Sequence, residues 1–274
     1  MVAWLHCSQS MQDRWAIGYR KGSISPDFSD ATWIHPPAGR IFADPFLVVH
    51  QHEPWIFFED YDGRRGHIAA SPLLDFKPRP VIRKDWHLSY PFLIEWEGEI
   101  FCIPEQHEAQ EVALYRCQKF PDGWKKETVL LDGFAGVDPT VIWSDGLWWM
   151  WVGEQSRRAR DNTYLFWAPA LTGPWREHRQ SPAVHRTDLA RPGGLPWRSP
   201  NGTSWMRPAQ NRTRTYGGGL LVYQVDRLDP EFYQETEWTR WEPLPDWPYP
   251  DGLHHLCMSG GWTVWDAKRF VEEL

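Results

Sequence analysis

A long-period repeat is the feature of this sequence that most restricts its fold. Three segments share one pattern: an Asp or Tyr before a proline, an apolar strand, a polar turn and an aromatic strand. These segments are residues 43–59, 89–105 and 137–153, and their prolines are 46 and 48 residues apart. A fourth, degenerate copy starts at Arg191-Pro192, and a fifth starts near His254-His255.

A period in this range, with a hairpin in each unit, is typical of a β-propeller, in which every repeat forms one blade. Short runs of Val, Ile, Leu, Phe and Trp between Gly, Pro, Asp and Asn clusters also indicate short strands and tight turns. We therefore predict an all-β fold, a single five-bladed propeller over residues 1–274 with repeats starting near 43, 89, 137, 190 and 252. A β-sandwich or a solenoid is the alternative, and one short helix is expected at residues 266–274.

Composition excludes several other classes of protein. The chain has 20 Trp, a mean hydropathy of −0.57 and no run of about 18 apolar residues, so we expect an ordered globule without a membrane span. The first residues lack the pattern of a signal peptide, which predicts a cytoplasmic protein. A net charge of −7 argues against nucleic acid or an anionic membrane as the main partner. The four cysteines form no CxxC pair, so we predict reduced, mostly buried thiols.

The repeat also places polar side chains. The residue before each proline starts the innermost strand, and a hairpin of short strands returns the chain to the same face about 15 residues later. His87, just before the second repeat, should reach the same rim, and its neighbour Trp86 is the best candidate for stacking on a ligand. One end of the propeller axis, here called the mouth, is therefore expected to collect Asp44, Glu59, Tyr90, Glu105 and Asp138.

Four carboxylates at one mouth push one another's pKa values apart, which supplies a neutral acid beside an ionised base. Glycoside hydrolysis needs such a pair. We therefore predict a catalytic set in which Asp44 activates water or attacks the sugar, Glu105 protonates the leaving oxygen and Asp138 holds geometry and pKa. The alternative is that each Asp-Pro pair only starts a strand and caps a turn.

The later repeats add basic and amide side chains to this set. Arg forks grip carboxylates, phosphates or vicinal hydroxyls, although they can equally well neutralise the four acids. The spacing of the histidines and acids matches no metal-ligand motif, and no P-loop or Rossmann fingerprint is present, so no metal and no cofactor is predicted. The residues predicted to bind a carbohydrate substrate are Glu59, Trp86, His87, Tyr90, Arg191, Arg207, Gln210, His254 and His255.

The Asp-Pro strand starts at Asp44 and Asp138 resemble those of the five-bladed propeller glycosidases of the family-43 and family-32 type. The series as a whole is most similar to the N-terminal propeller domain of plant glucosamine inositolphosphorylceramide transferases, which also occurs in bacterial proteins beside formyltransferase-like domains. The similarity covers about residues 15–269. The segments that carry it are 42–47 (FADPFL), 87–92 (HLSYPF), 103–105 (IPE), 120–124 (FPDGW), 137–139 (VDP) and 207–210 (RPAQ) followed by 216–217 (YG).

The two resemblances imply different functions. The glycosidase type implies that Asp44 is the general base and that Asp138 tunes the acid; its acidic Glu lies in a later blade, where this chain has Arg191 and Arg207. Glu105 is then the geometric substitute for the acid, with Glu59 behind it. Our prediction is a glycoside hydrolase acting on a glycan or oligosaccharide. The alternatives are a non-catalytic carbohydrate-binding or glycan-transfer accessory propeller and, ranked last, a protein-interaction scaffold.

Overall fold

The structure, a computed structural model, describes residues 11–22, 30–155, 162–184 and 191–272. Its strands form five four-stranded antiparallel sheets around one axis, which confirms the predicted all-β, five-bladed propeller. The strands are β1 (Met11–Lys21), β2 (Thr32–Ile34), β3 (Ile41–His50), β4 (Glu53–Tyr61), β5 (Gly66–Pro72), β6 (Arg79–Ile82), β7 (Ser89–Trp96), β8 (Glu99–Glu105), β9 (Glu111–Lys119), β10 (Asp122–Asp132), β11 (Gly136–Ser144), β12 (Leu147–Glu154), β13 (Thr163–Ala168), β14 (Arg176–Glu177), β15 (Trp197–Arg198), β16 (Trp205–Asn211), β17 (Gly219–Leu228), β18 (Tyr233–Trp241), β19 (Leu256–Ser259) and β20 (Trp262–Glu272).

Four blades are continuous in sequence, and the fifth closes the ring with both ends of the described chain. Blades one to four are β3–β6, β7–β10, β11–β14 and β15–β18, and each begins with its innermost strand. In blade five, β19 and β20 are the inner strands, whereas β1 and β2 are the outer ones. The β1–β20 ladder runs from the pair Met11↔Glu272 to the pair Lys21↔Trp262, so the ring is closed by a long antiparallel pairing.

In four of the five blades, the polar turn of the inner hairpin is tight and has positive φ at both central residues. In blades one, two, three and five these residues are 51–52, 97–98, 145–146 and 260–261. Two successive left-handed residues are the geometry of a type I′ turn, whose twist matches that of the flanking strands. The Gln-His, Glu-Gly, Asp-Gly and Gly-Gly pairs therefore fix the register of the inner hairpin in four of the blades.

Large aromatic side chains fill the space within and between the blades. Trp149, Trp151 and Trp265 are buried almost completely. Trp151 also donates its indole N–H to the Tyr233 hydroxyl at 3.1 Å, which links blade three to blade four. Each fully buried ring of this size removes a large apolar area from water, so these residues dominate the packing.

Two further sequence expectations have clear outcomes. The helix expected at residues 266–274 is wrong: residues up to 272 belong to strand β20, because pairing with β1 decides their conformation. Cys102 and Cys257 are buried free thiols and Cys117 is a partly buried one, whereas Cys7 lies outside the described residues. Across the part of the chain that the structure describes, no helix has the length and apolar character to cross a bilayer.

Candidate functional site

The site starts from a backbone kink that recurs in three inner strands. Asp44, Tyr90 and Asp138 have φ values of 52°, 44° and 49°, and each directly precedes a proline. The ladder to the second strand shifts register at the same three places, which identifies a β-bulge in each blade. A bulge redirects the side chains around it, and each of these three side chains contacts a neighbouring blade.

The second strands bring two carboxylates to the same edge. Glu59 pairs with Ala43, and Glu105 pairs with Ser89, one residue before the kinked position in each blade. In blade three the equivalent position is Gly153. The ladder thus has the register that the 15-residue spacing predicts.

Arg191 connects the acids of blades two and three. Its guanidinium bonds both oxygens of Asp138, and its Nη2 also lies 3.2 Å from Glu105 Oε2. Gln210 Nε2 donates to Asp138 Oδ2 at 3.0 Å, and the Asp138 backbone N–H donates to Glu105 Oε2 at 3.0 Å. His107 Nδ1 lies 3.1 Å from Glu105 Oε1. These five residues form one connected network, the arginine cluster.

The two acids of the arginine cluster differ in their proton affinity. Burial opposes ionisation of Glu105, but the charge of Arg191 and the hydrogen bond from His107 outweigh it and lower the pKa of Glu105 to about 2. Burial raises the pKa of Asp138 to about 8, with Arg191 opposing the rise and Glu105 adding to it. One guanidinium serves both carboxylates, and Glu105 is the one held firmly as an anion.

Asp266 organises a second network, the histidine cluster, in blade five. Its Oδ2 accepts the backbone N–H of Asp44 at 2.9 Å. Its Oδ1 accepts the backbone N–H groups of His254 and His255 at 3.2 and 3.0 Å, and His254 Nδ1 at 2.8 Å. Although burial opposes it, the neighbouring His254 lowers the pKa of Asp266. Asp266 is therefore an anion whose lone pairs are taken up by protein donors.

The Asp44 carboxylate lies between these two networks. Its Oδ1 is 4.0 Å from His254 Nε2 and 3.8 Å from His255 Nδ1, and its side chain is 8% exposed. Burial, followed by the charges of Asp138, Asp266 and Glu59, raises the pKa of Asp44 well above its usual range. Both distances exceed a hydrogen bond, so Asp44 is a buried acid in a negative surrounding.

Glu59 forms a separate pair with His87. His87 Nε2 lies 3.1 Å from Glu59 Oε1, and its Nδ1 accepts the backbone N–H of Gly66 at 3.0 Å. Burial lowers the pKa of His87, but the hydrogen bond and charge of Glu59 outweigh it and raise the pKa overall. A Cβ at Gly66 would lie 2.7 Å from both side chains, so glycine is needed for this close approach.

Tyr90 and His255 form the floor under the acids. The Tyr90 hydroxyl is 2.7 Å from Thr140 Oγ1 and accepts the backbone N–H of Gly194 at 2.9 Å. The His255 ring packs edge-on against the rings of Phe46 and Tyr90 and is fully buried. Burial lowers the pKa of His255 to about 3, so its imidazole is neutral. The Tyr90 hydroxyl thus links blade two to Thr140 of blade three and to the backbone of Gly194, and both of these partners belong to the protein.

Two aromatic residues stand over the histidine cluster. The Trp15 ring stacks on His254 with ring centroids 4.0 Å apart. Tyr216 is 42% exposed, its ring centroid is 5.5 Å from that of His254, and the Arg191 guanidinium lies 5.8 Å from its centre. Tyr216 is therefore an accessible aromatic surface at the rim of the mouth.

Two predicted binding residues lie among packing contacts instead. Arg207 is fully buried, donates to Glu235 at 2.8 and 2.6 Å and lies 5.1 Å from the Tyr223 ring centre, so it holds the sheet of blade four together. Trp86 packs against the main core and lies 5.9 Å from Lys84 Nζ. The structure does not bring Arg207 into either cluster, since its guanidinium is engaged by Glu235.

Sequence reasoning missed Asp266, His107, Trp15 and Tyr216 as members of the site. Asp266 does have a signal: its backbone N–H bonds His255, so it occupies the place that Glu59 and Glu105 hold in blades one and two. The hairpin of blade five is shorter, so a fixed 15-residue spacing does not find it.

One set of described side chains has the composition of a cation site. The ligand atoms of Asp44, His254 and Asp266 all lie within 4.8 Å of one another. Asp266 already accepts four donors and His254 Nδ1 points at it. His254 Nε2 and the Asp44 carboxylate are therefore the atoms of this set that the hydrogen bonds within the described residues leave open.

Several solved structures with a similar fold are glycosidases. A β-1,3-galactosidase of family GH43 superposes with a TM-score of 0.62 at 9% identity, covering 84% of this chain and 57% of that one. An α-L-arabinofuranosidase from Lactobacillus brevis gives 0.58 at 11% identity, covering 75% and 82%. An exo-β-1,3-galactanase from Clostridium thermocellum gives 0.57 at 11% identity, covering 86% and 64%. At these identities the likeness is one of fold, and it defines a five-bladed propeller of the kind found in GH43 glycosidases.

The sequence comparison identifies the family within this class. Residues 31–241 match the model of the family described as glucosamine inositolphosphorylceramide transferase 1, N-terminal. Proteins named glucosamine inositolphosphorylceramide transferase 1 are 34% identical in Oryza sativa subsp. japonica and 30% identical in Arabidopsis thaliana, over 207 residues and 71% of this chain. The chain therefore belongs to this N-terminal domain family, and it spans 27% of the length of these relatives.

Proposed function

We propose that this propeller binds a saccharide at its mouth as a non-catalytic part of glycan transfer. The sequence relatives are named as transferases, and the likeness to glycosidases is confined to the fold. The names of the transferases and of the glycosidases both refer to carbohydrates, so the proposal assigns a carbohydrate ligand to this mouth. It assigns to Asp44, Glu105, Asp138 and Gln210 the task of recognising hydroxyl or amino groups of a sugar.

The observation that carries this proposal is the bridge that Arg191 makes between Glu105 and Asp138. It leaves Glu105 ionised far below neutral pH, with its pKa near 2. A carboxylate in that state has no proton to give to a leaving group, so it is unsuited to general acid catalysis at neutral pH. A buried, fixed set of acceptors and donors is instead what orients a polar ligand.

The rim supplies a place for the apolar face of a sugar ring. Tyr216 is exposed and stands beside Arg191 and His254. Sugar rings pack on aromatic faces while their hydroxyls reach the polar groups alongside, and an amphipathic Tyr suits such a half-wet surface. We assign to Tyr216 the stacking role that the sequence suggested for Trp86.

Hydrolysis is the second candidate function, and one observation favours it. Burial raises the pKa of Asp138, whereas Arg191 acts against burial and lowers the pKa of Glu105, and an acid and base pair needs shifts in such opposite directions. In that case Asp138 carries the proton and Glu105 is the anion, the reverse of the roles expected from the sequence. Asp44 keeps the role of base or nucleophile in this alternative.

Saturable binding without turnover tests the proposal. We expect monosaccharides and short oligosaccharides, titrated by calorimetry and ligand-observed NMR, to include at least one that binds. The substitution Tyr216→Ala should weaken that binding by about 5- to 10-fold, because a stacked ring contributes about 1 kcal/mol.

Trp238→Ala is the matched control, since Trp238 is 53% exposed on the outer strand of blade four. It should leave the affinity unchanged. Release of free sugar during long incubation, lost in Asp44→Asn, would establish the hydrolase instead. Absence of binding across the panel, or equal loss in both variants, would overturn the proposed site.

A further inference from the structure

We propose that the face of the propeller opposite to the mouth binds an arginine-containing peptide segment of a partner protein. The binding surface, here called the aromatic groove, consists of Glu95, Trp96, Glu97, Trp143 and Trp148. Arginine side chains of the partner stack on the indole rings and pair with the two carboxylates. The aromatic groove is independent of the saccharide site.

The aromatic groove lies at the hairpin end of blades two and three. Trp96 is the last residue of β7, and Trp143 is the last but one of β11. Tyr90 and Asp138 of the mouth stand near the starts of the same two strands. A strand rises by about 3.3 Å per residue, so roughly 20 Å separates the aromatic groove from the mouth. A ligand bound in one of these sites does not touch the other.

Two adjoining cavities give the aromatic groove its depth. The larger one, of about 500 Å³, is lined mainly by aromatic and apolar side chains, with Glu97 at its edge. The smaller one, of about 250 Å³, is lined by Glu95, Glu97, Glu99 and His50 among others. Trp96 and Glu97 belong to the walls of both, so the two cavities are continuous. Their combined size is that of a pocket for a drug-sized ligand, which suits a short peptide segment better than one small ion.

Three indole rings form one wall of the aromatic groove. The ring centroids of Trp96 and Trp143 are 5.3 Å apart, and each lies within 5.5 Å of the Trp148 centroid. The planes are tilted against one another by 53° to 73°. Trp148 is buried beneath, whereas Trp96 and Trp143 are half-buried. The wall is therefore a fixed aromatic surface with one side open to solvent.

Other half-buried tryptophans of this chain are covered by cations of the chain itself. Arg198 lies 4.2 Å from the ring centre of Trp205. The same arrangement is found in the pairs Arg176–Trp167, Arg79–Trp55, Lys84–Trp86 and Lys21–Trp262. In the described ranges, the ring contacts of Trp96 and Trp143 are with each other and with Trp148, and no Lys or Arg lies over them. Their π faces are therefore available to a cation from another molecule.

Two carboxylates beside the rings select a positively charged partner. Glu95 and Glu97 are exposed, and neither has an ion-pair partner in the part of the chain that the structure describes. Glu99 differs, because Arg116 donates two hydrogen bonds to it at 3.0 and 2.8 Å. The aromatic groove thus combines π faces with unneutralised negative charge. A guanidinium satisfies both at once, since it is planar, weakly hydrated and able to stack while it pairs with a carboxylate.

Fluorescence polarisation with the full chain and labelled peptides tests the proposal. One peptide has two arginines separated by a glycine, and its reference has citrulline at both positions, which keeps the shape and removes the charge. We expect the arginine peptide to bind about 10- to 100-fold more tightly than the citrulline peptide. A lysine peptide of equal charge should bind several-fold more weakly than the arginine peptide, because an ammonium is more strongly hydrated and stacks less well.

A pair of double variants locates the binding. Glu95→Gln with Glu97→Gln keeps the side-chain volume and should lower the affinity for the arginine peptide about 10-fold. Glu242→Gln with Glu272→Gln removes the same charge from exposed positions on blades four and five and should leave the affinity unchanged. The control separates local pairing from a general attraction of basic peptides to a chain with a net charge of −7.

The aromatic contribution has its own matched pair. Trp143→Leu should weaken binding of the arginine peptide about 5-fold, because it removes one stacking face. Trp238→Leu, at a 53% exposed position on the outer strand of blade four, should leave the affinity unchanged. A melting curve for each variant establishes that the fold is retained, and the glutamine variants carry the test if Trp143→Leu does not fold.

Each remaining outcome would overturn the proposal. Equal affinity for the arginine and citrulline peptides, or an equal loss in the two glutamine double variants, would exclude binding in the aromatic groove. Equal affinity for the lysine peptide would exclude stacking. Binding of tetramethylammonium as tight as that of the arginine peptide would make the occupant a small organic cation instead of a peptide.

Discussion

At the scale of single residues, Asp44, Tyr90 and Asp138 have a backbone conformation that costs conformational free energy. A left-handed residue before a proline is disfavoured, and a bulky Tyr is more strained there than an Asp. Such conformations cost about 1 to 3 kcal/mol each and persist only where the surroundings impose them. Tyr90 is held by Gly194 and Thr140, and the Asp44 backbone is held by Asp266. The strain lies at the residues that form the mouth.

We expect Asp44→Asn to stabilise the unliganded protein at neutral pH by about 1 to 3 kcal/mol, since it removes a buried carboxylate that has no side-chain hydrogen-bond donor among the described residues. Burial and neighbouring acids raise the folded-state pKa of Asp44, so the folded protein binds a proton that the unfolded chain releases. Wild-type stability should therefore fall as the pH rises from the unfolded pKa, about 3.9, toward the folded pKa. Urea unfolding at several pH values measures both effects.

Asp145→Asn is the reference, because it makes the same chemical change at the same φ of 52° in an exposed turn. Its stability should follow the wild type at every pH. A loss of stability in Asp44→Asn at neutral pH would show that the Asp44 carboxylate has a cationic partner in the free protein, contrary to the geometry.

The residues that the sequence identified were those fixed by a local repeat. Asp44 and Glu105 follow from the proline period and from the 15-residue hairpin, because both distances are set within one blade. Asp266 was missed because its hairpin is shorter, and Trp15 because it reaches His254 from the other end of the chain. Contacts between blades carry no local signal, so the two clusters were visible only in the structure.

At the scale of elements, strand pairing overrides local preference. Residues 266–272 belong to the one segment in which the sequence suggested a short helix, yet they extend β20 along β1. The partner strand lies some 250 residues away in sequence, with Asp13 paired to Phe270. The propeller and the three clear repeats were predictable from periodicity, whereas the conformation of this tail depended on a long-range ladder.

A glycine in β1 makes this ladder possible. Gly18 pairs with Trp265, and a Cβ at Gly18 would lie 2.4 Å from the Trp265 ring, which is fully buried. The ring cannot move without opening the core of blade five, so overpacking should be costly. We expect Gly18→Val to destabilise the protein by about 2 to 3 kcal/mol or to prevent folding, as measured by thermal and urea unfolding.

Gly98→Ala provides the comparison, because nothing lies within 4 Å of a Cβ at that hairpin tip. Its cost should be limited to the left-handed conformation, about 1 kcal/mol. Equal destabilisation by the two changes would contradict the steric role given to Gly18.

At the scale of the whole molecule, most tryptophans build the ring. Trp149, Trp151 and Trp265 are buried within and between blades, and Trp33 packs edge-on against Trp247 and Trp265 in blade five. The aromatic content therefore supports the propeller more than it supports ligand binding. The polar groups of the mouth are instead charged side chains on the inner strands of different blades. Their relative positions depend on closure of the ring of blades.

Ring closure by β1 gives the last prediction. Removal of residues 1–22 deprives β20 of its long outer partner β1, leaving only the short pairing with β19, and takes away the buried side chains of Trp15, Ala16 and Ile17. Burial of each of the two large side chains contributes about 1.5 to 3 kcal/mol, so their loss together with that of the ladder removes much of the stability of a typical domain. The truncated chain should aggregate or unfold without a cooperative transition.

A circular permutant that joins Glu272 to Met11 by a short linker, with new ends between Lys77 and Pro78, keeps the β1–β20 ladder and should melt cooperatively. Size-exclusion chromatography and thermal unfolding distinguish the two, and a truncated chain that melts like the wild type would show that β1 does not close the ring.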